Sequence, residues 1–435
     1  MKKYILIPLI VCISLLFFFQ CTLGNRPGIL LDKYRKIVLV GSSEKIEASI
    51  PVDQKLIWYS SDASTVHVSP SGVITGISPG NAVVHVRTEN SVYKASCHVT
   101  VVTAIPRNII LFIGDGMGPE QVKAAGMFKT GVSGSLIFES FDYTNTMTTY
   151  SASSRITDSA AASTAMATGH KVNNVVISTA IPGDSSELET LLEYLKQKGK
   201  STGLVTTTHI TNATPAGFGA HEGSRYNYDE IAVDYINGSK PNVLFGGGGY
   251  GITDTMTDLA EYHTVTTKTA FEEMDPLPDD YYSALFGTGN LPYMLDDNTT
   301  YPDLSHMTET ALAILEQDPD GFFLLVEGGR IDHAGHENNI ARNVAETVEF
   351  EDAVTSALLW MSGNDTVLIV TADHETGGLT VIKNKGAGNV PDVTWSTGYH
   401  TGIEVPIYAV GCDENIIFGD FDNTHIYYVI SDYYE

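Results

Sequence analysis

The sequence predicts an α/β protein: a largely parallel sheet flanked by helices, with a small β-sandwich domain at the N-terminal side. Three observations carry this. Up to about Val102, apolar residues alternate with period two between Pro- and Gly-containing turns. Beyond Asn108, short and nearly continuous apolar runs alternate with helical segments, the pattern of strands buried on both faces. The 435-residue chain is 43% hydrophobic and 18% charged, which suits two or three domains with sizeable cores.

The elements follow in chain order. Lys2 and Lys3 precede an apolar run from Tyr4 to Phe19, too short for a comfortable membrane span, so residues 1–24 read as an export signal. Cys21, in LLFFFQCTLGN, resembles the lipidated cysteine of a bacterial lipoprotein signal, although Gln20 stands where such signals usually carry a small residue. Cleavage after Gly24 is the alternative. Either implies export, to the bacterial periplasm, to the outer membrane as an anchored lipoprotein, or into the medium. Of the four cysteines, Cys12, Cys21, Cys97 and Cys412, none suggests a disulfide framework. The formal net charge of -27 repels nucleic acid and anionic membranes, which excludes both as natural partners.

Residues 27–103 form the sandwich candidate. Its stretch LIWYSSDASTVHVSPSGVITGISPGNAVVHV resembles the bacterial immunoglobulin-like domains of group 2, which implies a spacer or an attachment module for a cell-surface component. His67, His85 and His98 fall on its strands without metal-ligand spacing and read as structural. TAIPRN, Thr103 to Asn108, is the linker, and a catalytic domain is expected over residues 107–435.

Ligands of parallel sheets gather outside the carboxyl ends of the strands, and those ends carry a recurring set of residues. Asp115 follows NIILFIG, in GDGMG. His209, Asn212 and Thr214 follow GLVTTT. Glu327, Asp332 and His336 follow GFFLLV, and Asp373 and His374 follow TVLIVTA. His400, in GYHTG, precedes the strand EVPIYAV. Any one of these is ordinarily a turn residue, a helix cap or a surface pair. Their recurrence at successive strand ends is hard to obtain from packing alone. Asp332 and His336, four apart, share one face of a helix. Mixed Asp and His suits zinc, whereas Thr214, Glu327 and Asp115 together suit magnesium.

In RITDSAAASTAMATGHK, Ser159 follows Asp158 at the head of an alanine-rich helix that Gly169 should stop. A capping role explains Asp158 and Ser159 equally well in isolation. Two zinc ions about 4 Å apart, stabilising the attacking and leaving oxygens of a phosphoryl displacement, give Ser159 a chemical purpose. Coordination and the helix dipole would both favour its oxyanion, and the alanines leave room for phosphate.

At this point GDGMG, TDSAAASTAMATG, NATP, VEGGRIDHAGH, TADHE and HTG resemble the alkaline phosphatases closely, in the family's order, from Asn108 to the C-terminus. The resemblance implies an alkaline-phosphatase-like fold and hydrolysis of phosphate monoesters through a phosphoserine at Ser159, with retention at phosphorus. It implies that Asp332, His336 and His400 hold the zinc that activates water. Asp115, Asp373 and His374 would hold a second zinc that also binds Ser159. Asp115, Thr214 and Glu327 would hold magnesium. Arg225, eleven residues after Thr214, matches the phosphate-clamping arginine, whose planar fork suits two phosphate oxygens. His333 would contact phosphate indirectly. Asn212 stands where the family often has Asp or His, and His333 where it has Lys or His, which puts the identity of the third metal in question. A homodimer is expected by the same resemblance.

GGGG, Gly246 to Gly249, lacks the GK[ST] of a phosphate loop and reads as structural. Two other functions remain open at this stage. One is a phosphodiesterase on the same metal scaffold, against which Ser159 with Arg225 argues. The other is a surface-binding protein with a relic enzyme fold, against which every metal position reads as present.

Overall fold

The computed structural model describes residues 28–50, 54–275, 280–296, 299–361, 365–412 and 415–435. The expected export signal and Cys21 lie outside the described residues.

The N-terminal strands form a four-stranded sheet, in the order Arg35–Leu39, Lys94–Val102, Gly80–Thr88 and Leu56–Ser60, and a three-stranded sheet of Ser43–Lys45, Val73–Gly76 and Val66–Val68. Alternation has the expected consequence: Ala82, Val84, Val86 and Thr88 point inward along one strand. They join Val38, Ile46, Val66, Ile74, Cys97, Val99 and Val101 in a separate apolar core.

The second body is built on a nine-stranded sheet. Its order is Tyr143–Met147, Val405–Val410, Thr366–Thr371, Asn108–Gly114, Phe322–Gly328, Ser201–His209, Val243–Gly247, Tyr281–Phe286 and Tyr262–Val265. From Thr366–Thr371 onward every pairing is parallel. Asn108–Gly114 and Phe322–Gly328 are buried at every residue, as their unbroken apolar runs require. Two separately packed groups of helices cover them. One contains Pro119–Thr130, Leu304–Leu315 and Ile340–Trp360; the other contains Ser159–Thr168, Leu191–Gln197, Ala213–Gly219 and His425–Ser431. Phe112 and Phe350 meet edge to face at 5.7 Å where the long helix crosses the central strand.

One strand departs from expectation. Val405–Val410 runs antiparallel to Thr366–Thr371. An apolar run does not encode direction, and this reversal brings the segment just before Val405, with His400, to the carboxyl edge of the parallel strands.

The two bodies are tightly joined. Arg35, 5% exposed, donates through Nη2 to the Phe418 carbonyl at 2.7 Å and to the Asp420 carbonyl, and through Nε to His425 Nδ1 at 3.0 Å. Its guanidinium lies 4.6 Å from the Phe421 ring centroid. Beside it Lys33 pairs with Asp432 at 2.7 Å and Lys36 with Glu435 at 3.0 Å.

Candidate active site

Asp158, not Ser159, caps the alanine-rich helix: its side chain accepts from the Ala161 amide at 3.1 Å. Ser159 is the first helical residue, and Gly169 ends the helix in the left-handed conformation at φ 73°. Placing Ser159 inside the first turn frees its hydroxyl from capping duty and sets it in the positive end of the helix dipole. Ser159 is 3% exposed; its Oγ lies 3.2 Å from His374 Nε2 and 3.5 Å from Asp115 Oδ2.

The strand ends converge on that hydroxyl. The turn after Asn108–Gly114 is closed by the Gly116 amide donating to Asp373 Oδ1 at 3.0 Å. Gly116 has φ +71°, and a Cβ there would fall 2.9 Å from the Asp332 Cα, so only glycine lets these loops approach. Asp332 and His336 occupy the short helix Arg330–His336, and their Oδ2 and Nε2 atoms are 3.2 Å apart. His400 Nε2 lies 3.2 Å from His336 Nε2 and 3.6 Å from Asp332 Oδ1. His374 Nε2 lies 3.2 Å from Asp373 Oδ2 and 3.5 Å from Asp115 Oδ1. The rings of His374 and His400 stack at 3.6 Å, so the two groups share a wall.

The imidazoles are held in one tautomer. His336 Nδ1 donates to the Gly398 carbonyl at 2.8 Å and His400 Nδ1 to the Thr157 carbonyl at 2.9 Å. A carbonyl only accepts, so Nδ1 carries a proton in both rings and it is Nε2 that faces the site, the atom a metal would take once it is deprotonated. His374 Nδ1 is 3.3 Å from Thr376 Oγ1, and Thr376 also donates to Asp332.

Burial makes this centre electrostatically demanding. Asp115, Glu327, Asp332 and Asp373 are at most 5% exposed. Burial, then the charge of Asp373, pushes the Asp115 carboxyl up; burial raises Asp373 to about 6 and Glu327 to about 7. At Asp332 burial is outweighed by the hydrogen bond from His336 and the nearby histidines, which hold it low. His336 is raised to about 9 by Asp332, whereas burial drives His374 well below its usual value and keeps it neutral. Among the described residues, Asp115 Oδ1, Asp373 Oδ2, Thr214 Oγ1 and Glu327 Oε1 are buried and find no hydrogen-bond partner.

This donor set fits cations. Tetrahedral zinc with ligand bonds of about 2.0–2.1 Å separates neighbouring ligand atoms by about 3.4 Å, close to the spacings in both His/Asp groups. Asp332, His374 and His400 form one cluster of suitable atoms and Asp115, Asp373 and His374 another. Thr214, Glu327 and Asp115 supply only oxygens, the chemistry of a harder ion.

Arg225 stands beside the head of the serine helix, donating to Asp158 Oδ2 at 3.3 Å and to Asn212 Oδ1 at 3.1 Å. Asn212 also caps the helix Ala213–Gly219 that carries Thr214. Asn212 thus holds Arg225. His333 Nδ1 is 2.6 Å from Arg330 Nη1, and burial pushes its pKa down to about 4, so the ring is neutral. Sequence reasoning missed the supporting layer: Asp158 as the partner of Arg225, the Thr157 and Gly398 carbonyls, Thr376, and Thr206, which donates to Glu327. The Asp-Ser pair was the one local signal.

Residues 106–391 match the family model described as alkaline phosphatase. Alkaline phosphatase 3 of Bacillus subtilis is 34% identical over 405 residues, covering 74% of this chain and 87% of its own length. The rat tissue-nonspecific alkaline phosphatase is 33% identical over 357 residues, covering 67% and 68%. Among solved structures, the cold-active alkaline phosphatase of a psychrophilic Shewanella matches at 30% identity and a TM-score of 0.68, over 74% of this chain and 98% of its own. That of the Antarctic bacterium TAB5 matches at 31% identity and 0.68, over 76% and 98%. With its fold, its donor set and its buried serine, the chain belongs to the alkaline phosphatase family of phosphatase enzymes.

Proposed function

We propose that the chain is an exported phosphomonoesterase working through a phosphoserine at Ser159, on a centre of two zinc ions and one magnesium ion. The carrying observation is the buried Ser159 Oγ at a helix N-terminus, 3.2 Å from His374 Nε2. When bound, the metals supply Lewis-acid charge to the attacking and leaving oxygens. Asp332, His336 and His400 would hold one zinc, Asp115, Asp373 and His374 the other, and Asp115, Thr214 and Glu327 the magnesium. Two of the second group, His374 and Asp115, already lie 3.2 and 3.5 Å from the serine oxygen. A TAB5 variant is described with magnesium in its M3 site, which supports a third ion of that kind.

The protein's own groups do the rest. Ser159 attacks phosphorus as the P–O bond to the ester group breaks, the serine proton ending on the departing alcohol, while Arg225 orients two phosphate oxygens through its fork. Asp158 and Asn212 keep that fork aimed across the helix N-terminus, whose amides favour the charged transition state. Water then attacks the phosphoserine from the opposite side, and Ser159 leaves, so two inversions give retention. The side chain of His336 is 36% exposed, against 3% for Ser159 as a residue, which places the solvent-open mouth on the histidine side.

Residues 107–435 are the catalytic domain in this reading, and 27–103 an immunoglobulin-like spacer that presents it at the cell surface. A lipid anchor at Cys21 and a homodimer belong to the same proposal. Acid-quenching the enzyme with a phosphate monoester and mapping the modified peptide by mass spectrometry tests the intermediate: phosphate on Ser159 supports it. Cleavage of bis-p-nitrophenyl phosphate with no monoester turnover would replace the substrate class.

A further inference from the structure

Beside Arg225 stands an aromatic cluster that the chemistry above leaves unused. Tyr226 follows Arg225 directly and is 65% exposed; Tyr250 is 48% exposed. Tyr226 meets Tyr228 edge to face at 6.5 Å, and Tyr228 meets Tyr250 the same way at 5.1 Å. Tyr250 stacks on the buried His209 at 4.1 Å. His209 ends the strand Ser201–His209, and its carbonyl accepts from the Asn212 amide at 2.9 Å. Asn212 in turn holds Arg225.

The cluster is rigid. The Arg225 amide donates to the Val175 carbonyl at 2.7 Å, Asn227 Nδ2 to Glu222 Oε2 at 2.8 Å, and Thr211 Oγ1 to the Tyr250 carbonyl at 2.8 Å. Tyr250 and Tyr228 spend their faces and edges on each other and on His209. Tyr226 touches the others through one edge contact and keeps the rest of its ring in water. An exposed ring on a pinned loop, one residue from the phosphate clamp, is placed to meet whatever the phosphate carries. Arg225 and the helix N-terminus serve the phosphate alone, so a contact with the uncharged ester group has to come from a neighbouring side chain such as this one.

We propose that Tyr226, backed by Tyr228, Tyr250 and His209, is a specificity platform for the planar ring of the ester group, so that the enzyme favours nucleoside and aryl monophosphates over small aliphatic ones. This rests on the phosphomonoesterase reading and names its substrate class.

The test compares kcat/KM for adenosine 5′-monophosphate and glycerol 2-phosphate in the metal-replete full chain and its Tyr226→Ala, Tyr226→Phe and Tyr250→Leu variants. Inhibition by inorganic phosphate is measured alongside as a check on Arg225. Tyr226→Ala should lower kcat/KM for the nucleotide by about ten-fold, the size of one lost base–aromatic stack, mainly through KM. Glycerol 2-phosphate and phosphate inhibition should change by less than about two-fold, and Tyr226→Phe should restore the nucleotide value. Equal losses on both substrates, or no loss on either, would overturn the platform. Wild-type protein that hydrolyses neither ester would instead remove the reading beneath it.

Discussion

Metal binding at this centre must compete with protons, and the competition can be worked out from the buried groups. In the metal-free protein Asp373 titrates at about 6 and Glu327 at about 7, with Asp115 also raised and His336 at about 9. All four bind metal only in their deprotonated forms. At pH 5 the folded protein therefore holds protons that a cation has to displace. Displacement costs on the order of 1 kcal/mol at Asp373 and on the order of 3 kcal/mol at Glu327. By pH 8 both costs are gone, and that of the partly exposed His336 has diminished in the same direction. From pH 5 to pH 8 affinity should thus rise by at least about ten-fold for the ion at Asp373 and about a hundred-fold for the ion at Glu327, and the stabilisation by fixed free concentrations of both metals should grow by about 4 kcal/mol in all. Groups far from the centre titrate alike in both forms and cancel in the difference. The assay is thermal unfolding at pH 5, 6, 7 and 8, in EDTA and in buffered zinc with magnesium. The gap between the two melting temperatures should widen with pH, and Asp373→Asn should shrink it. A gap independent of pH, or widest at pH 5, would refute the assignment of these carboxylates as ligands.

Arg225→Ala should lower kcat/KM for p-nitrophenyl phosphate by about a hundred-fold, the usual cost of one lost charge-stabilising donor, and weaken inhibition by phosphate; steady-state kinetics checks it. Arg35→Ala should destabilise the protein by about 3–5 kcal/mol in chemical denaturation, because it removes part-buried, charged hydrogen bonds to two carbonyls and an imidazole and a cation–π contact. Arg35→Lys should recover little of that, since an ammonium cannot reach the Phe418 and Asp420 carbonyls and His425 Nδ1 together as Nη2 and Nε of the planar guanidinium do.

The fold and the clustering of the candidate donors were legible where the signal is local. A carboxylate after an apolar run, such as Asp115 or Asp373, is found by the rule that strand ends gather functional groups. Asp332 and His336 needed only helical spacing, and the alanine-rich helix with its Gly169 stop showed its own bounds. Gly246 to Gly249 read correctly as structural: a Cβ at Gly247 would fall 1.8 Å from the Gly289 carbonyl oxygen. What stayed hidden is contact between distant segments. Arg225 finds Asp158 across 67 positions, and His400 finds the Thr157 carbonyl across 243, with no pattern in either stretch to announce it. The reversal of Val405–Val410 and the docking of Arg35 into the C-terminal segment are hidden for the same reason. Both depend on surfaces that exist only after the sheet has formed.

The most direct measurement is hydrolysis of p-nitrophenyl phosphate at alkaline pH by the wild type and by Ser159→Ala, each after EDTA and after zinc and magnesium are restored. Turnover by wild type that disappears with EDTA and returns with metal, while Ser159→Ala stays at background throughout, is the predicted result. Metal-dependent turnover by Ser159→Ala at the wild-type rate would contradict the phosphoserine mechanism.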